Sequence, residues 1–163
     1  MKKQHFPNAR FIVLALLIVP VMSWATDCQW ANKLYNESQN ASSAQKSDLL
    51  NQAIRLCPNH VQALNNRANL KENAGHFYDA QKDYRRIIKT NPNFVPAYAG
   101  LGDVLMKQQD YSGAAEAFQN FLSLLNKPGN HKFQRHATHY KARLEEARDH
   151  LSSIEKMVVE LSK

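Results

Sequence analysis

The chain has 163 residues, 44% of them hydrophobic and 21% charged, a globular composition sufficient for one modest domain. Its formal charge is +7, but Lys2, Lys3 and Arg10 supply three of the 21 basic residues from a segment that has no acid. Beyond residue 25, 18 basic against 14 acidic residues leave +4, too weak and too dispersed a field to argue for a nucleic-acid partner.

Residues 1–25 have the three-part layout of a secretory signal peptide. A basic "MKKQHFPNAR" is followed by the apolar "FIVLALLIVPVM" and by "SWA", which puts Ser23 and Ala25 at small-residue positions. Cleavage is expected between Ala25 and Thr26. The apolar run is shorter than the ~20 residues of a membrane span, and Pro20 interrupts it. No stable membrane anchor is therefore expected after cleavage, and the mature chain is expected to be periplasmic or secreted. Asp27 stands before Cys28, where a lipid anchor would need a small residue.

From there the pattern recurs every 34 residues. Pro58 and Pro92 share that separation inside "CPNH" and "NPNF", as do Phe77 and Tyr111, Ala80 and Ala114, Tyr84 and Phe118, and Ile88 and Leu122. Apolar residues at three- and four-residue spacing alternate with breaks such as "NAGHFYDA" and "KQQDYSGA". The pattern predicts helix–turn–helix units over 27–60, 61–94 and 95–126, and no strand. The first unit keeps Trp30, Leu50, Ala53, Ile54 and Pro58 but departs at Leu34 and Lys46. Both a degenerate edge unit and a turn shifted by an indel around "NASSAQ" fit.

In the tail, 127–163, Phe133, Ala137 and Tyr140 follow Pro128-Gly129 at the spacing of a first helix, but no turn comes after. Apolar positions 133, 137, 140, 144, 147, 151, 154, 158 and 161 step by four and three throughout, a heptad-like seam. A helix of ~30 residues is ~45 Å long, longer than one unit can cover. Either Ser152-Ser153 breaks it and the end folds back or frays, or the seam makes a coiled-coil contact with a second copy or a partner.

These units resemble the tetratricopeptide repeat, whose pattern is W-x2-L-G-x2-Y in the first helix, then A-x3-F and a closing Pro in the second. The third unit carries it as Tyr98, Leu101, Gly102, Leu105, Tyr111, Ala114 and Phe118. The second carries Leu64, Ala68, Gly75, Phe77, Ala80, Tyr84 and Pro92. The resemblance spans 27–126 and is strongest in units two and three. It implies an all-α fold, an α-solenoid of about three helix–turn–helix repeats over 26–126. A long C-terminal helix would close it by covering the apolar face of the last pair.

In that frame Cys28 opens one helix and Cys57 ends its antiparallel mate, so the two should lie side by side and, in an oxidising compartment, form a disulfide. Gly100-x-Gly102 is not a phosphate loop, because Leu105 stands where a third glycine is needed and no strand precedes it. Gly102 falls instead where the two helices of a unit touch. His131, His136, His139 and His150 cluster in the tail without a ligand set for zinc and are read as solvated. The sequons at Asn36 and Asn40 carry little weight behind a bacterial-looking signal. Nothing assembles a catalytic constellation, so no enzyme, metal or cofactor is expected.

The first helices of the resembled family line its groove. Asn65, Asn66, Asn69 and Asn73 share one face of such a helix, and Asn32 matches Asn66 in register. An amide both donates and accepts, so this ladder would hold the backbone of an extended peptide; the alternative is a merely solvated face. Members that grip a C-terminal carboxylate use basic and amide residues at positions held here by Ala31, Tyr35, Asn66, Pro96 and Gly100. Only Asn66 matches, which disfavours that ligand. Pro96, Ala99 and Gly100 should leave a nearly bare wall, with Asp103 beyond, suited to close approach of a ligand or of the chain's own tail. The expectation is a scaffold that binds a segment of another envelope protein through Asn32, Asn65, Asn66, Asn69, Asn73 and Asp103, or else a homo-oligomer joined through the tail.

Overall fold

The structure, a computed structural model, describes residues 26–162. Residues 1–25, the expected signal segment with Ala25 of the expected cleavage pair, lie outside the described residues. The described residues hold helices and turns and no strand. They run as α1 (26–38), α2 (Ser43–Leu56), α3 (Val61–Asn73), α4 (Phe77–Thr90), α5 (Val95–Lys107), α6 (Tyr111–Leu124), a short 3-10 helix (His131–His136) and α7 (Ala137–Leu161). The fold is all-α, with three helical hairpins followed by a long C-terminal helix. Packing divides the chain after His60 into two units.

The period is kept throughout. Helices α2, α4 and α6 are each 14 residues long and begin at Ser43, Phe77 and Tyr111, 34 residues apart. The first hairpin is thus a degenerate repeat in register, without an indel. Its turn is built differently. Gly75 adopts φ 79° in the second hairpin, and Gln109 adopts φ 61° at the equivalent place in the third. Ala41 stands there in the first and has no such angle. Ser42 instead starts α2 with its backbone N–H and hydroxyl both donating to Gln45 Oε1, at 3.3 and 2.9 Å.

In the first unit, Ala31, Leu50, Ala53 and Ile54 form a small core. Cys28 and Cys57 are joined across the hairpin, with Cα atoms 4.8 Å apart and a sequence separation of 29. Closing a loop of that length contributes about 3–4 kcal/mol in the loop-entropy account, which compensates for few buried side chains. His60 packs here too, its Nε2 2.9 Å from Asn32 Oδ1 and its ring tilted on Tyr35.

The second unit builds its core from Leu64, Tyr84, Ile87, Val95, Val104, Leu105, Phe118 and Phe121, all nearly inaccessible. Helix α5 is buried on most of its circumference because α4 and α6 both pack on it. Gly102 makes this possible: a Cβ there would enter the Phe118 ring. Between α3 and α4 the buried Asp83 is held by a two-pronged Arg67 at 2.8 and 2.6 Å and by Lys71 at 2.8 Å.

Helix α7 docks on α6 through Leu144 and Ala147, with Tyr140 set against Phe118 and Phe121. It does not break at Ser152-Ser153. Ser153 donates to the carbonyl of Asp149 at 2.8 Å, bonding back into the previous turn and leaving the helix intact. Nor does its end fold back: Ile154, Met157, Val158 and Leu161 are exposed.

Candidate functional site: a polar cleft between α3, α5 and the start of α7

Within the second unit a cleft of about 260 Å³ opens between α3, α5 and the segment that leads into α7. Each wall has its own chemistry. Asn65, Asn69 and Glu72 come from α3, where spacings of four and three keep them on one face. Pro96, Ala99, Gly100 and Asp103 come from α5, and Phe133, His136 and Tyr140 from the tail.

The floor is Tyr84 of α4. Its ring fills the space a Cβ on Gly100 would need, and its side chain is fully buried. The hydroxyl emerges 2.6 Å from Asn69 Oδ1 and 3.0 Å from Glu72 Oε2, sharing its one proton between two acceptors. Burial and then the charge of Glu72 push the Tyr84 phenol far above its ordinary range, so it stays a neutral donor. Tyr140 is raised likewise by burial and then by Asp103, to which it donates at 3.2 Å.

The two acids differ in how they are held. Lys107 Nζ lies 2.7 Å from Glu72 Oε1. Asp103 has Tyr140 and, at 3.4 Å, Arg143 Nε. Burial raises the Asp103 pKa above the usual carboxylate value, and Arg143 only partly opposes this.

The asparagines expected to act together separate. Asn65 and Asn69 face the cleft. Among the described residues the Asn65 side chain makes no hydrogen bond, and the Asn69 side chain uses only its carbonyl oxygen. Asn66 and Asn73 are absent from the lining: a one-residue step turns Asn66 by ~100° from Asn65, and Asn73 is the last residue of α3. Asn32 belongs to the first unit, where it faces His60. Asp103 does line the cleft. Gly100 is not the bare wall expected, since Tyr84 occupies its open side, and the tail itself supplies a wall. Glu72 and Tyr84 were missed, although Glu72 sits three residues from Asn69 on the same helical face. The tail histidines do not converge: His136 faces the cleft, His139 meets Tyr140 edge-on and His150 stacks on Tyr111. Among the described residues no three His, Cys, Asp or Glu side chains gather as a metal site would need.

A family model described as tetratricopeptide repeat matches residues 49–82. A TPR repeat-containing protein of Rhizobium etli is 26% identical over 96 residues, 59% of this chain and 46% of that protein. The chain spans less than half the length of the curated relatives it matches. Among solved structures, the Sgt2 TPR domain from Aspergillus fumigatus superposes with a TM-score of 0.60 at 26% identity, over 73% of this chain and 82% of that one. The first TPR of Spaghetti (RPAP3), solved bound to the HSP90 peptide SRMEEVD, superposes with a TM-score of 0.57 at 15% identity, over 80% of this chain and 94% of that one. The second likeness concerns the fold alone.

Proposed function

This chain is a tetratricopeptide-repeat protein, and from that premise we propose that it is a non-enzymatic scaffold whose cleft binds an extended segment of a partner protein. The observation that carries the reading is the pair of free amide groups on Asn65 and Asn69, facing Pro96, Ala99 and Gly100 across an open cleft. An extended backbone offers an N–H and a C=O at each residue, and a side-chain amide can meet both. The interaction would therefore read backbone first. Replacing Asn65 and Asn69 together with Ala should weaken partner binding at least about tenfold with helicity unchanged, while Asn66→Ala should bind normally. Unchanged binding by the double variant would count against the reading.

The partner we propose is another envelope protein, met after export. The layout of residues 1–25 and the Cys28–Cys57 disulfide support an oxidising compartment outside the cytoplasm. Mass spectrometry of secreted or periplasmic material should find a mature chain beginning at Thr26. The acidic peptide of the Spaghetti neighbour is a poor guide to the ligand here, because Glu72 and Asp103 put negative charge in this cleft.

A second reading, oligomerisation through α7, is favoured by the exposed Ile154, Val158 and Leu161, which continue the apolar seam beyond the docked part of the helix, with the exposed Met157 beside them. Light scattering of the full mature chain and of a chain ending at Ser152 separates the two: only this reading requires the larger particle to shrink.

A further inference from the structure

One end of the cleft has chemistry that a backbone grip does not use. Glu72 and Asp103 approach from α3 and α5, and the charge of Glu72 adds to the cost of ionising Asp103. Their counter-charges are uneven. Glu72 has a close lysine at 2.7 Å and the Tyr84 hydroxyl at 3.0 Å. Among the described residues Asp103 has only contacts of 3.2 and 3.4 Å, and the guanidinium responsible for the second is turned to Glu146, which its Nη1 meets at 2.6 Å. The well-made pairs of this protein, those on Asp83, close to 2.6–2.8 Å. Asp103 is thus a partly desolvated carboxylate with long contacts and a quarter of its side chain open to the cleft. Such a group gains most from a charge-assisted donor. Tyr140, whose hydroxyl reaches Asp103, and Phe133 and Pro96 elsewhere in the lining offer aromatic and apolar surface, on which the stem of a lysine or the plane of an arginine can lie.

We infer that the cleft receives a basic side chain, Lys or Arg, of the bound segment at Asp103, with Glu72 as the second acid. This rests on the cleft being a peptide site. It specifies the sign of charge and the position of one side chain.

The test uses a library of acetylated, amidated octapeptides in which one position at a time is fixed, with binding to the mature full chain read by fluorescence. Lys and Arg at one position should bind about tenfold more tightly than norleucine, and Glu there should be rejected. Asp103→Asn and Glu72→Gln should each erase that preference, whereas the double substitution of Asn65 and Asn69 by Ala should weaken every member alike. Circular dichroism confirms that each variant folds. Should Asp103→Asn not fold, Glu72→Gln and the loss of preference at high salt carry the test. No basic preference, or a preference that survives both acid substitutions, overturns the inference. If library members bind through the asparagines without basic preference, the peptide site stands and this inference falls. If no member binds, both fall.

Discussion

Tyr84 and Gly100 share one volume: the phenol ring of α4 occupies the space in which a side chain on α5 would lie. The ring carries its hydroxyl through to Asn69 and Glu72, so a packing contact sets the floor of the cleft. Gly100→Ala should therefore destabilise the fold by about 1–3 kcal/mol, the usual cost of overpacking. It should also weaken peptide binding by moving the phenol. Urea denaturation read alongside peptide titration checks both effects. A variant of wild-type stability would show that the two helices have room to separate.

Gly75 and Gln109 hold equivalent turns, yet only one is glycine. A left-handed non-glycine residue costs about 1–2 kcal/mol, and glycine adds about 0.4–1 kcal/mol of unfolded-chain entropy. Gln109→Gly should accordingly stabilise the chain by about 0.5–1 kcal/mol. A rise in the urea midpoint at unchanged slope is the expected result.

Asp83 is 4% exposed and carries two cations. Asp83→Ala would leave Arg67 and Lys71 facing each other without their acid. The expected loss is about 3–5 kcal/mol, as for breaking any buried pair from one side. Restoring stability by also replacing Arg67 and Lys71 with apolar residues would confirm that the loss is electrostatic.

His60 gives a pH dependence of known sign. Burial lowers its pKa below 6.5, and a hydrogen bond to its own backbone opposes this only in part. Well above pH 6.5 the ring is neutral folded or unfolded and adds no slope. Below it the unfolded chain takes up the proton first, so stability falls as pH drops, levelling once the folded ring also protonates. Thermal midpoints from about pH 8 to about pH 5 should show this fall, and His60→Asn should reduce it. An identical slope in the variant would remove His60 as the cause.

The hairpins were legible because each repeats a spacing: Phe77 and Tyr111, or Tyr84 and Phe118, announce the same contact twice. Cys28 and Cys57 could be paired once the hairpin frame was drawn. The Arg67–Asp83–Lys71 cluster was not legible, since Arg67 and Lys71, four apart on α3, and Asp83 on α4 look the same in sequence whether solvated or buried. The cleft was half legible. Asn65 and Asn69 mark a face in the sequence, but which of four neighbouring asparagines points inward depends on a ~100° rotation per residue. Which wall stays open depended on Tyr84 and on where the tail docks, both long-range packing outcomes. The uncovered end of α7 was legible as a seam, while its continuity through Ser152-Ser153 was not, because serine can either end a helix or bond back into it.

The most direct test of the central claim is the side-chain amide spectrum of Asn65 and Asn69 in the isotope-labelled protein, recorded as capped peptides from the library are added. The two NH2 groups should shift together, saturably, at the same peptide concentration as the backbone of Gly100. Binding that leaves both amide groups unmoved, or that shifts only residues beyond Ser152, would contradict a peptide site in this cleft.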